Sequence, residues 1–164
     1  MRQKVAESKL WQPLRRWLTS TPQRTFVLYP LLVIVFELAV HHGRIDIVPW
    51  GVPLLLWGYL QYLLVGRYRI RLARGGPGID VPPERIIAAG PYAYVRNPMY
   101  LGHLIFMAGL AITFRSWPAV ALLAFHVVWF HRRVLEDEAR LEALFGREYR
   151  DYKARVKRWL PGII

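Results

Sequence analysis

Two stretches of this 164-residue chain gather side chains able to do chemistry at short spacing. The first is Gly90-Pro-Tyr-Ala-Tyr-Val-Arg-Asn-Pro-Met-Tyr100. The second runs from Arg132 to Tyr152 and carries Arg133, Asp137 and Glu138 within two helical turns. Carboxylates accept hydrogen bonds from hydroxyl and ammonium groups, and an arginine or backbone amides can hold a carboxylate. The same residue types also serve as interfacial anchors at helix mouths and as solvated charged faces, and composition alone leans toward that plainer use. The chain has no cysteine, which excludes disulfides, thiolate metal ligands and a cysteine nucleophile together, and no metal site is expected. His103 and His126 lie inside apolar runs and are candidates for a general base; polar contacts within a helix bundle are the preferred expectation for both. Glu37, four residues before His41, is expected to form an interfacial pair with it.

The elements that must position these residues are apolar. Hydrophobic residues make up 54% of the chain, and they concentrate in residues 26–40, 47–65, 99–114 and 117–130. A membrane-crossing helix takes about 20 mostly apolar residues, so each run with its flanks is close to one span. Four such helices in a soluble domain of this size would leave too little polar surface to cover them. Lysine and arginine alternate about these runs as 6, 1, 6, 1 and 9, the positive-inside pattern for an even number of crossings with both termini cytoplasmic. The expected fold class is therefore an all-α membrane protein of four transmembrane helices, in an inner or plasma membrane. The net charge of +12 is not that of a nucleic-acid binder, because its alternation follows the apolar runs; the basic flanks face anionic lipid headgroups. No cleavable signal segment is expected, since the first apolar run starts at Phe26 behind a basic stretch with no small-residue cleavage site.

Leu10, Trp11, Leu14, Trp17 and Leu18 recur at helical spacing and predict an interfacial helix within residues 1–25, broken over residues 19–22 before the first span. Residues 66–98 form a cytoplasmic loop punctuated by glycine and proline, with a short extended piece over residues 84–89 and a turn at Gly90-Pro91. Arg115-Ser-Trp-Pro118 joins the last two runs into a tight hairpin over residues 99–131, with Pro118 in the first turn of its second helix. Gly102 and Gly109 share one face, as close helix packing requires. The last helix continues without a breaker to Phe145, 29 residues and about 43 Å, with Gly146 as its C-cap. Residues 132–164 then form a cytoplasmic tail with Tyr149, Tyr152, Val156 and Trp159 on one stripe. The whole chain is one membrane-embedded domain.

Gly90-Pro-Tyr-Ala-Tyr-Val-Arg-Asn-Pro-Met-Tyr-Leu-Gly102 resembles the entry motif of the isoprenylcysteine carboxyl methyltransferase and phospholipid methyltransferase superfamily. Glu136-Asp-Glu-Ala-Arg-Leu-Glu-Ala-Leu-Phe-Gly-Arg-Glu-Tyr-Arg-Asp-Tyr152, closing with Arg158-Trp-Leu-Pro161, resembles the tail motif of the same family. The two cover about half the chain in the family's order. The resemblance implies an S-adenosylmethionine-dependent methyltransferase acting on a lipophilic or membrane-associated acceptor. It also implies a cofactor pocket built from Glu84, Arg85, Ile86, Ile87, Tyr92, Arg96, Asn97, Pro98, Met99, Tyr100, Asp137 and Glu138, completed by the tail, with Arg133 in the acceptor region. Where the family usually has Arg-His-Pro, this chain has Arg96-Asn97-Pro98, and asparagine does not take up a proton near neutral pH. An NADPH-dependent membrane reductase of the sterol reductase type, or a non-catalytic scaffold of the same fold, are the alternatives; the acceptor and the oligomeric state stay open. The alternation of charge gives a direct test of topology. In the otherwise cysteine-free chain, Gly76→Cys and Leu160→Cys are expected to resist an impermeant thiol reagent applied from outside and to react once the membrane is opened; labelling from outside would reject this arrangement.

Overall fold

The computed structural model describes residues 20–73 and 84–160. The expected interfacial helix, the loop over residues 74–83 and Pro161 lie outside the described residues. Five helices carry the rest: α1, Thr21–Val40; α2, Val52–Ala73; α3, Pro98–Phe114; α4, Trp117–Phe145; and α5, Arg147–Arg155. Among the described residues there is no strand, only a single parallel bridge between Val95 and Lys157. Residues 84–89, expected as an extended piece, run irregularly.

α1 begins five residues before the apolar run, because Pro22 falls in its first turn, where a missing N–H is not needed. Arg24–Leu28 forms a π-type stretch just ahead of Pro30. Proline cannot donate to the carbonyl four residues back and its ring crowds that carbonyl, so a widened turn at this point lets the helix continue. α2 starts later than expected, after a 3-10 turn at Pro49–Gly51, and runs on through Arg67, Arg69 and Arg71 into what the sequence reads as loop. Arginine is a good helix former and no glycine or proline interrupts before Gly75, so leaving the apolar region does not end the helix. α4 has the expected 29 residues, Pro118 in its first turn and Gly146, at φ 55, beyond its last turn.

The tightest packing joins α2 to α3, which run antiparallel. A Cβ built on Gly58 would lie 2.4 Å from the Phe106 nitrogen and 2.7 Å from the Gly102 oxygen; one on Gly109 would lie 2.7 Å from the Leu55 nitrogen and 3.0 Å from the Gly51 oxygen. Gly51 and Gly58 on one chain segment thus face Gly109 and Gly102 on the other, two pairs seven residues apart, and the backbones touch where side chains would hold them off. α3 is consequently the central helix, with Met99, His103, Met107 and Leu110 all buried. α1 and α4 close over it through Val33, Leu110, Ala111 and Ala119. The outward faces are apolar: Leu31 and Val35 on α1, Leu56 and Trp57 on α2, and Phe125 and Val128 on α4 are each more than half exposed. By length and composition α1 is able to cross a membrane; α3 is apolar but shorter. The glycine seam makes a stability test. Gly58→Ala is expected to lower stability by about 1 to 3 kcal/mol, the usual cost of overpacking. Gly66→Ala, whose Cβ would meet only the Met99 methyl at 3.7 Å, should be neutral. Thermal unfolding in detergent compares the two.

Candidate functional site

The site forms where the chain enters α3 and leaves α4, at one end of the bundle. Gly90 adopts φ 58, and a side chain there would run into the Tyr68 ring, so the turn at Gly90–Ala93 can approach α2 only as glycine. Arg85 donates from Nε to the Leu72 carbonyl and ties the incoming segment to the end of α2. Beyond α5 the chain turns back, and the Arg96 amide donates to the Lys157 carbonyl at 2.9 Å beside the Val95–Lys157 bridge. Tyr149, Tyr152 and Val156 bury together against Ile86, Leu141 and Phe145, as their common stripe predicts. Trp159 departs from that stripe. It packs on the cluster of Tyr100, Phe130 and Val134, with its ring N–H 3.4 Å from His131 Nδ1.

Glu138 holds these pieces together. It is 4% exposed, and Oε1 accepts from Arg96 Nε at 3.1 Å and Arg158 Nε at 3.0 Å, while Oε2 accepts from Arg158 Nη2 at 2.9 Å. Arg96 Nη2 lies 3.0 Å from Oε1. Arg96 Nη1 is engaged as well, donating to the carbonyls of Lys153 and Val156. Asn97 stands at the N-cap position of α3 but does not cap it; its Nδ2 donates to the Arg158 carbonyl at 3.3 Å. Tyr152 O–H donates to the Tyr92 carbonyl at 2.7 Å. Asp137, one residue earlier, faces another way: it accepts from Tyr100 O–H at 2.9 Å and lies 3.8 Å from Arg133 Nε and 3.5 Å from Arg140 Nη2.

Between these groups lies a cleft of about 850 Å³ of atom-free space, its mouth to solvent included. Ten sequence-identified residues line it: Ile86, Ile87, Tyr92, Arg96, Asn97, Pro98, Met99, Tyr100, Asp137 and Glu138. Glu84, Arg85 and Arg133 do not; Glu84 and Arg85 are exposed on the approach to the cleft, and Arg133 stands behind the lining residues Asp137 and Tyr100. Arg69, Arg140, Leu141, Tyr149 and Tyr152 also line it without having been singled out as site residues. The stripe carrying Tyr149 and Tyr152 was legible; Arg69 lay in a stretch with no recognisable string, on a helix expected to have ended.

The titratable groups here are biased away from base chemistry. Burial pushes the Tyr92 phenol up to about 12, slightly offset by Arg69. Burial, with the Glu138 charge against Tyr149 and the neighbouring phenols against Tyr152, pushes both of those up as well. No histidine lines the cleft. His126 is satisfied as expected: Nδ1 donates to the Leu122 carbonyl at 2.8 Å, leaving Nε2 to accept from Tyr29 O–H at 3.2 Å. His103 is not. Fully buried among the rings of Phe26, Tyr62 and Phe130, it has no hydrogen-bond partner at either nitrogen among the described residues.

Most of the cleft's lining lies within a stretch that known proteins share. The family model for phospholipid methyltransferase matches residues 76–148. Over this stretch, just under half of its length, the chain is similar to that family. It is 32% identical over 78 residues to the protein-S-isoprenylcysteine O-methyltransferase of Schizosaccharomyces pombe, covering 46% of this chain and 33% of that protein. It is 35% identical over 80 residues to the protein of that name from Mus musculus, covering 48% and 28%. It is 33% identical over 80 residues to protein-S-isoprenylcysteine O-methyltransferase B of Arabidopsis thaliana, covering 48% and 40%. The matched stretch thus spans well under half the length of these relatives.

The geometry separates the two acids of this family region. Glu138→Ala leaves Arg96 and Arg158 without their carboxylate, and removing one partner of a buried ion pair costs about 3 to 5 kcal/mol. Its melting temperature is expected to fall sharply. Glu142→Ala, which breaks half-exposed contacts with Lys153 at 2.9 Å and Arg150 at 3.8 Å, should unfold close to the parent.

Proposed function

We propose that this protein is a four-span membrane methyltransferase that uses S-adenosylmethionine and takes a lipophilic, anionic acceptor from the bilayer. The observation that carries the reading is convergence: both strings that resemble the family, their starts 46 residues apart at the two ends of the α3–α4 hairpin, line one cleft. Support for four spans comes from the alternation of charge about the apolar runs and from the apolar outward faces of α1, α2 and α4. In this reading both termini and the cleft face the cytoplasm.

The lining suits the cofactor. Ile86, Ile87, Tyr92 and Leu141 offer apolar and aromatic surface for a purine, Asp137 an acceptor for ribose hydroxyls or an ammonium, and Arg69 and Arg140 a charge for a carboxylate. Met99, Pro98 and Tyr100 continue the wall toward α3. Glu138 belongs to this site as the residue that fixes its walls rather than as a ligand, since its oxygens already take the Arg96 and Arg158 donors. Bound S-adenosylmethionine supplies an electrophilic methyl group on a sulfonium. The side chains position and desolvate. With Asn97 in place of histidine and the cleft's phenols held neutral, the described lining offers neither an imidazole nor a phenolate base, which favours an acceptor already anionic, a carboxylate or thiolate. Arg133, at the edge beyond Asp137, is placed to meet that charge.

Equilibrium binding to detergent-purified protein tests the cofactor: S-adenosylhomocysteine should bind and NADPH should not, and the reverse would transfer the reading to a reductase. Asp137→Asn is expected to weaken S-adenosylhomocysteine binding by about 1.5 to 3 kcal/mol, the range for hydrogen bonds to a charged group, with little change in melting temperature. Arg133→Lys should lower turnover of an anionic acceptor while leaving cofactor affinity nearly unchanged, because lysine lacks the planar fork. The rate should also be flat from about pH 6 to 7, where a histidine base would respond; a steep rise abolished by His103→Ala would sink the anionic-acceptor assignment.

A further inference from the structure

The two charged groups that the methyl-transfer reading assigns to different ligands stand one helical turn apart on α4, where pairing with each other would occupy both. Arg133 and Asp137 are residues i and i+4, neighbours on the helix surface. An arginine that closes on a carboxylate makes charge-assisted hydrogen bonds of about 2.7 to 2.9 Å, often two in parallel. This pair is not closed. Arg133 Nε lies 3.8 Å from Asp137 Oδ1, longer than a hydrogen bond.

A phenol from α3 engages both. Tyr100 O–H donates to Asp137 Oδ2 at 2.9 Å, and Arg133 donates to the same phenol oxygen. A phenol carries one donor and accepts as well, so it can satisfy a carboxylate and a guanidinium together. Its position is set by packing. Tyr100 is 6% exposed, its ring lies 4.9 Å from that of Phe130, and it packs in one cluster with Phe130 and Val134, which are fully buried. Residues 130, 134 and 137 follow one stripe of α4, so the wall that fixes the ring also carries Asp137 to the hydroxyl. Filling that space needs only the ring. A buried hydroxyl costs free energy unless it is bonded, so the O–H calls for a reason of its own.

We propose that Tyr100 is a positioning residue whose hydroxyl keeps Arg133 from closing on Asp137, so that the carboxylate stays directed into the cleft and the guanidinium stays at its edge. Asp137 and Tyr100 line the cleft, while Arg133 stands behind them with its side chain 29% exposed. Tyr100 acts on the ligands through these two side chains: it gives Asp137 a neutral donor in place of a guanidinium and gives Arg133 a neutral acceptor in place of a carboxylate. Without the hydroxyl, Arg133 has the length to fold onto Asp137 and take the oxygens that cofactor donors would use. Arg140, 3.5 Å from Asp137 Oδ1, is more exposed, and its pairing is weakened by water. The inference rests on the methyl-transfer reading, in which Asp137 serves the cofactor and Arg133 the acceptor.

Calorimetric titration of S-adenosylhomocysteine into detergent-purified full-length protein tests this in four forms: the parent, Tyr100→Phe, Arg133→Gln and the double variant. Tyr100→Phe is expected to weaken binding at least about fivefold, with circular dichroism and melting temperature close to the parent's. Arg133→Gln alone should bind within about twofold of the parent, and combined with Tyr100→Phe it should recover most of the lost affinity, because the group that closes on Asp137 is gone. Damaged packing cannot produce that recovery, since a second substitution would then add to the loss. If Tyr100→Phe does not fold, Tyr100→Met, which fills the space without a hydroxyl, carries the same comparison. Parent-like binding by the hydroxyl-free variant overturns the proposal, and so does a double variant that binds no tighter than that variant alone. A parent that binds no S-adenosylhomocysteine would instead remove the methyl-transfer reading itself, and this inference with it.

Discussion

Everything around the cleft depends on one buried carboxylate. Glu138 takes Arg96 from the segment entering α3 and Arg158 from the segment after α5, and it does so from the C-terminal half of α4, so three parts of the chain meet on two oxygens. The pair is nearly dry, with Arg96 and Glu138 side chains at 9% and 5% exposure. Desolvating such charges offsets much of their attraction, so the cluster contributes less to net stability than its hydrogen bonds suggest. What it gives is geometry: a guanidinium fork, a carboxylate and the carbonyls of Lys153 and Val156 admit few other arrangements. The tail has a short helix and little core of its own, and this clamp determines where Tyr149 and Tyr152 stand against the cleft.

The clamp works only because the helices it joins are already fixed. Along the α2–α3 seam the glycine pairs let backbones touch, which brings Tyr62, Tyr68 and Arg69 of α2 to the level of the turn before α3. In lipid, where apolar surface gains nothing by leaving one apolar neighbour for another, such close packing is what drives helices together. Rigid packing below and a charged clasp above divide the labour. The first sets the floor of the cleft and the second its walls.

Much of this was legible in the sequence, and the losses have physical causes. The α3–α4 hairpin, the length of α4, its glycine cap and the packing role of Gly102 and Gly109 follow from periodicity and from what proline and glycine can do. The partners of those glycines, Gly51 and Gly58, were not identified, because contact between segments 50 residues apart leaves no local signal. α2 was cut short because a bilayer boundary was taken for a helix boundary, whereas arginines that leave the apolar layer can stay helical. The adjacent acids show what a string of letters leaves out. Asp137 and Glu138 were both assigned to the pocket and both line the cleft, but successive residues on a helix point about 100° apart, so their oxygens meet different partners. Asp137 turns toward Tyr100, Arg133 and Arg140; Glu138 turns toward the clamp.

That division bears on the chemistry. Methyl transfer from a sulfonium to an anion neutralises both partners, so a site that performs it gains by surrounding the pair with surface that solvates neither well, while holding each charge at a distance. The cleft has this character. Its walls are isoleucine, leucine, methionine, proline and the faces of tyrosines, and its strongest charge, Glu138, is already neutralised by two arginines that could otherwise have competed for an anionic acceptor. Asp137 remains at the mouth with cations on its outer side. A tyrosinate would compete as an acceptor for the methyl group, and burial holds Tyr92, Tyr149 and Tyr152 as phenols. Asparagine at residue 97 fits the same logic: a group unable to become cationic adds no further positive charge beside the sulfonium of the proposed cofactor, and its amide is used instead to bind the returning tail at Arg158. In the proposed reading, an anionic acceptor is favoured as much by the lack of an imidazole or phenolate base among the described lining residues as by the arginine at the cleft's edge.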